Sequence, residues 1–197
     1  MARRSDHTRE ELTNLALETA EQLLLEKSVS EISARQIAKG MGYTVGTLYT
    51  LFTNLDDLFI HILGRFLDQL YQRCQHAIEN ETTALKRVRS CGKIYLQTAL
   101  DQQHIWEMLF SNKLQRDQSH AWVEQKIELL FAMLNSLLKE LAPNKTDIKI
   151  EQGAHMLWGS VHGITVLSLQ GRIGSNQAER LQLMDEMICC FVQGWSR

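Results

Sequence analysis

Ser33-Ala34-Arg35-Gln36-Ile37-Ala38-Lys39-Gly40-Met41-Gly42-Tyr43-Thr44-Val45-Gly46-Thr47-Leu48-Tyr49 is the stretch that decides the fold of this chain. Ser33 with Gln36 three residues on has the capping-box spacing, and Ile37, Ala38 and Met41 give the helix that follows one apolar face. Thr44 is placed to cap a second, short helix running through Leu51. Two helices crossing near a right angle need a small residue where they touch, a residue tolerant of left-handed backbone in the turn, and an apolar anchor on the second helix. Ala38, Gly42 and Leu48 meet those needs in order. The spacing predicts a helix-turn-helix over 33–52. Its second helix exposes Val45, Gly46, Thr47 and Thr50, a face of small side chains that fits a DNA major groove about 12 Å wide. Ordinary helical hairpins share this spacing, so the flanking sequence has to decide between the two.

The flanks are helical on both sides. Thr8 with Glu11 makes a second capping box before a stripe of Leu12, Leu15, Ala16, Thr19, Leu23 and Leu24, predicting a helix over 8–27. Asn54 with Asp57 opens a fourth helix whose stripe is Leu55, Leu58, Phe59, Ile62, Phe66 and Leu70. Farther on, polar breaks separate expected helices near 83–100, 102–111, 118–141, 148–171 and 177–195, with no strand-like alternation between them. A single proline in 197 residues agrees with long helices and few tight turns. The expectation is an all-α chain: a three-helix DNA-binding domain over 1–53, then a helical body over 54–197.

Other classes find little support. No run of about 18 apolar residues is present to cross a bilayer, and the charged start lacks a secretory h-region, so a cytoplasmic protein without a membrane partner is expected. Cys74, Cys91, Cys189 and Cys190 lack CxxC or metal-ligand spacing and read as buried free thiols. There is no Gly-x-Ser-x-Gly elbow, P-loop, His-Glu-x-x-His or dinucleotide fingerprint. His104 and Glu107 have the spacing of one arm of a di-iron bundle site, yet the other arm is missing. Neither an enzyme nor a metal or cofactor site is expected.

The layout and the segment Gly42-Tyr43-Thr44-Val45-Gly46-Thr47-Leu48-Tyr49-Thr50-Leu51-Phe52, followed by Asp56-Asp57-Leu58, resemble the TetR family of bacterial transcriptional regulators. A second stretch, Trp158-Gly159-Ser160-Val161-His162-Gly163, is similar to the Trp/His-Gly signature of one class of C-terminal domain in that family. The resemblance implies a dimeric regulator, more often a repressor, released from a palindromic double-stranded operator by a small effector. Two positions depart from the pattern. Leu51 and Leu55 stand where members usually carry a His and a Lys that help contact the phosphate backbone. The departures keep open a helical adaptor that has lost DNA binding.

Charge sharpens the DNA question. Residues 1–60 hold six basic side chains against nine acidic ones, so any DNA-binding face must arise by segregation. We expect Arg35, Lys39 and Tyr49, with the amides near Thr44, to hold phosphates, while Thr44, Val45, Thr47 and Thr50 lie nearest base edges. Arg3 and Arg4 are placed to reach a minor groove as an arm. For the dimer, needed to read two half-sites, the expected interface is Gly159 and Gly163 with the stripe Met184, Ile188, Phe191 and Trp195. Because the resemblance implies an effector cavity, Cys91, Tyr95, Trp106, Phe110, Trp122, Phe131, Trp158 and His162 are its first candidates. Their character favours a largely apolar effector.

Overall fold

A computed structural model of the chain describes residues 7–110 and 120–196. The candidate arm residues Arg3 and Arg4, and the expected break at Arg116-Asp117, lie outside the described residues. Within them are nine α-helices, one short 3-10 turn at Val29–Glu31 and no strand. The helices are α1 (Arg9–Leu24), α2 (Ala34–Met41), α3 (Val45–Leu51), α4 (Leu55–Glu79), α5 (Ala84–Asp101), α6 (Gln103–Leu109), α7 (Ala121–Leu141), α8 (Asp147–Leu169) and α9 (Gln177–Trp195). The all-α expectation holds.

Local chemistry sets the helix starts. Thr8 Oγ1 accepts from the Glu11 amide at 3.2 Å while Glu11 Oε2 accepts from the Thr8 amide at 2.7 Å, completing the box. Ser33 and Gln36 form the same reciprocal pair. Thr44 Oγ1 accepts from the Thr47 amide at 3.1 Å, and Asn54 Oδ1 from the Asp57 amide at 2.8 Å. Each such cap contributes about 1 kcal/mol. The first helix stops at Leu24 rather than at 27, where the chain turns toward Val29–Glu31.

The chain groups into two compact units that interleave in sequence. The first comprises residues 1–66 and 102–123, and the second 67–101 and 124–197. Thus α6 and the first part of α4 group with the helix-turn-helix. In the first unit, Ala16, Ala20 and Leu24 of α1 and Ile37, Ala38 and Met41 of α2 are buried with Leu48 of α3. Ile105, Trp106 and Met108 give α6 a buried face that packs on α1 and the 3-10 turn.

The second unit has its core where α5, α8 and α9 meet, with Leu137 and Leu138 contributed by α7. Here the structure corrects the expected dimer stripe. Met184 and Ile188 are both 0% exposed and face α5 inside the same chain, where a Cβ at Gly92 would overlap Ile188 Cδ1. Burying one such side chain is worth about 1.5–3 kcal/mol, which the single chain already gains. Phe191 and Trp195 are partly buried against this core and stack on each other at 6.0 Å. The Trp195 indole lies over Gly153, where a Cβ would collide with the ring, and Lys145 Nζ sits 5.2 Å from its centroid.

Candidate nucleic-acid interface and aromatic cluster

The helix-turn-helix assembles around Gly42. Its φ of +75° is the left-handed conformation that ends α2, and the Tyr43 amide donates to the Ala38 carbonyl at 2.9 Å. Leu48, 1% exposed, anchors the inner side of α3. The outer side leaves Thr44, Gly46, Tyr49 and Thr50 exposed, with Val45 and Thr47 half-buried. Arg35 and Lys39 are exposed on α2. All seven predicted DNA contacts therefore lie on two neighbouring helices of one unit. Of the α3 amides, that of Thr47 is already taken by Thr44, leaving those of Val45 and Gly46 as the ones without a helical acceptor. Thr44 and Thr47 hydroxyls also bond each other at 3.0 Å, and Thr50 Oγ1 donates to the Thr47 carbonyl at 2.7 Å.

Residues 32–55 carry Arg35 and Lys39 and no carboxylate. Several acidic groups outside this stretch are held by caps. The Thr8 amide and hydroxyl keep the Glu11 carboxyl below its ordinary pKa, and the Ser28 hydroxyl and amide do the same for Glu31. Asp57 Oδ2 accepts from the Thr53 amide at 2.8 Å. Glu21 lies 3.5 Å from Arg65, yet its own burial dominates and pushes its carboxyl up. Leu51 and Leu55 are both half-buried.

A group that sequence reasoning missed sits at the α3–α4 junction. His61 Nε2 and His120 Nε2 each approach Asp57 Oδ1 at 3.5 Å. The His61 ring lies 5.3 Å from Trp122 and 5.7 Å from Phe52, the residue that ends α3. Trp122, expected near an effector, instead packs on His61 of α4. Trp106 is 4% exposed, with Phe110 at 4.8 Å. These three aromatics belong to the first unit.

The other five effector candidates belong to the second unit, and four of them converge. His155, Trp158 and His162 recur at helical spacing along one side of α8. Phe131 of α7 stacks on His155 at 4.9 Å and meets Trp158 edge-on at 5.7 Å. Trp158 stacks on His162 at 5.3 Å, and His162 Nδ1 is 3.1 Å from the Tyr95 hydroxyl of α5. Burial holds the His162 imidazole below its ordinary pKa, favouring the neutral ring. The result is an aromatic ladder closed by one polar pair. Cys91, one turn before Tyr95 on α5, packs at the margin of the core.

Gly159 and Gly163 lie on the outward side of α8, and a Cβ at either would meet nothing within 4 Å. Met156, 59% exposed, and Leu167, 39% exposed, continue this side, while Leu183 of α9 is 39% exposed. No helix among the described residues is long and apolar enough to cross a membrane.

Residues 88–191 match the family described as "Tetracyclin repressor-like, C-terminal domain", and residues 16–62 match "Bacterial regulatory proteins, tetR family". Over 100 residues the chain is 25% identical to the HTH-type transcriptional repressor KstR2 of Mycobacterium tuberculosis, covering 51% of this chain and 50% of that protein. The chain thus spans about half the length of the curated relatives it matches. A protein of unknown function from Rhodococcus sp. RHA1 shares the fold over 100% of both chains, with a TM-score of 0.82 and 19% identity. AibR, solved in complex with isovaleryl coenzyme A and operator DNA, shares it with a TM-score of 0.67 and 16% identity, over 90% of this chain and 96% of that one.

Proposed function

The chain belongs to the TetR family of bacterial transcriptional regulators, and from that premise we propose a dimeric, ligand-responsive repressor of a palindromic operator. The observation that carries DNA binding is the stretch 32–55, with two cations, no carboxylate and an outward face of small hydroxyl side chains on α3. Arg35, Lys39 and Tyr49 hold phosphates, while Thr44, Val45, Thr47 and Thr50 face base edges. Such a protein acts where its DNA lies, in the cytoplasm, and its task is binding rather than catalysis.

Two protomers are needed to read half-sites one or more turns of about 34 Å apart. Their contact is the outward side of α8 through Met156, Gly159, Gly163 and Leu167, joined by Leu183 of α9. The glycines leave room for a partner helix to approach closely, and the exposed apolar groups gain from being covered. Met184 and Ile188 play no part in it.

The effector site is the ladder of Phe131, Trp158, His162 and Tyr95. Neutral His162 and the Tyr95 hydroxyl offer a paired donor and acceptor, while the rings supply apolar surface. This chemistry suits an acyl group carrying one carbonyl better than a sugar or a phosphate. AibR's isovaleryl coenzyme A makes a short acyl thioester the first compound to try. Occupancy would act through α4, a single helix whose first half belongs to the DNA-binding unit and whose second half belongs to the effector unit. To act, the ligand must favour one arrangement of α4 over the other.

A mobility-shift assay on the DNA upstream of the protein's own gene tests this reading. Retardation at low salt that isovaleryl coenzyme A reverses supports both halves. Retardation indifferent to a series of acyl thioesters rejects the effector class. No retardation at all rejects the regulator in favour of a helical adaptor.

A further inference from the structure

The hydroxyl groups on the outward side of α3 are largely occupied with one another and with the backbone. Thr44 Oγ1 accepts from the Thr47 amide at 3.1 Å and lies 3.0 Å from Thr47 Oγ1, so one hydroxyl proton sits between those two oxygens. Thr50 Oγ1 spends its own proton on the Thr47 carbonyl at 2.7 Å. A threonine hydroxyl carries one proton and two lone pairs. Of three protons, one is therefore left for DNA; of six lone pairs, two are taken and four remain. No Arg, Lys, Asn, Gln, Asp or Glu lies between Gly42 and Phe52, so the side chains that read bases by paired hydrogen bonds are missing from this helix. What α3 does carry is methyl groups, on Thr44, Val45, Thr47 and Thr50. Gly46 leaves an opening among them. A Cβ there would meet, within 4 Å, Thr44 Oγ1 alone at 3.6 Å, an ordinary contact, so the fold itself does not demand a glycine.

The two kinds of base pair differ in the one feature this face can use. In the major groove an A·T pair and a G·C pair each present one amino donor and two acceptors, so the remaining lone pairs find a partner on either. A·T alone adds the 5-methyl group of thymine. The adjacent O6 and N7 acceptors of guanine call for a donor fork such as that of Arg, and Arg35 and Lys39 lie on α2 instead.

Given that α3 enters the major groove, as the proposed function requires, we propose that Val45, Thr47 and Thr50 are specificity-determining residues that select an operator core of A·T pairs through contact with thymine methyl groups. The hydroxyl lone pairs accept from the adenine amino group of the same pairs. Guanine at these positions is disfavoured for want of a donor. Covering one methyl group is worth about fourfold in affinity. Exchanging one contacted thymine for uracil in both half-sites of a dimer's operator should therefore cost about sixteenfold.

The test is selection from a randomised duplex library by the full chain at low salt, followed by fluorescence anisotropy on the enriched site. The expected core is A·T-rich, and its uracil version binds about sixteenfold more weakly per symmetric position. Changing a contacted T·A pair to C·G weakens binding, and 5-methylcytosine at that C restores part of the loss. Val45→Ala/Thr50→Ser keeps the hydroxyl and removes methyl groups. Its preference for thymine over uracil should shrink toward one while its affinity for the uracil duplex stays that of the wild type, which a misfolded variant would not show. Enrichment of a G·C core, or equal binding of thymine and uracil duplexes, overturns the proposal and leaves the DNA-binding regulator standing. Failure to retard any duplex rejects the regulator itself, and this inference with it.

Discussion

Titrating salt into the operator complex counts the phosphates this protein neutralises, because each one releases condensed counterions from the DNA. The structure places two exposed cations, Arg35 and Lys39, on the proposed face of each protomer, and no carboxylate between residues 32 and 55. In a dimer these make four phosphate contacts, so log affinity should fall against log salt with a slope of about −3.6. Between 50 and 200 mM salt that slope costs affinity about 150-fold, against about a millionfold for a slope of −10 like that of lac repressor. On the proposed reading, amides at the start of α3 and the Tyr49 hydroxyl would add contacts without adding cations, which would let a chain with excess acid in its first 60 residues bind. Fluorescence anisotropy of a labelled duplex, with Arg3→Ala/Arg4→Ala protein so that the arm does not contribute, reads the slope directly. Lys39→Ala should flatten it to about −1.8, since a dimer loses two contacts. A slope of about −7 or steeper in the armless variant, or one that Lys39→Ala leaves unchanged, refutes the assignment of these two cations.

Three further outcomes follow from the geometry. Replacing Gly42, at φ +75°, with Ala should cost about 1–2 kcal/mol of stability, read as a lowered thermal midpoint; an unchanged midpoint contradicts the strained turn. Asp185 is held at about 2 by the hydrogen bond from Arg89, with Lys93 helping. Its stabilisation should be fully present above the ordinary carboxylate pKa of about 3.9 and be lost as pH falls toward 2. Asp185→Asn should therefore flatten the acid limb of a stability-against-pH curve while lowering stability at neutral pH. A Cβ at Gly159 would meet nothing within 4 Å in its own chain, so Gly159→Glu should leave the fold intact and halve the mass found by sedimentation; a persisting dimer places the interface elsewhere.

The helix map was legible because capping acts over three residues. Thr8, Ser33, Thr44 and Asn54 each sit beside the amide they bond, so the sequence carries both partners of every cap. The turn at Gly42 and the anchor Leu48 were legible for the same reason. A helical stripe, in contrast, reveals which side is apolar but not what covers it. Met184 and Ile188 meet α5 of their own chain, and Trp195 finds Gly153, contacts that no local pattern announces. The eight effector candidates were seven aromatic side chains and the polarizable Cys91, yet only tertiary packing sends Trp122 to His61 and Trp158 to His162. The Asp57–His61–His120 group was hidden likewise, since His120 reaches Asp57 from far along the chain.

On the proposed reading, α2 and α3 of two protomers read a symmetric DNA site. Hydroxyl-radical footprinting of the DNA upstream of the protein's own gene, at low salt, tests it most directly. Protection of two inverted half-sites on one face of the duplex, one or more turns of about 34 Å apart, is the predicted result, and Thr47→Ala combined with Thr50→Ala should weaken both halves equally. Absence of any protected segment at low salt, with the protein folded and dimeric, would contradict it.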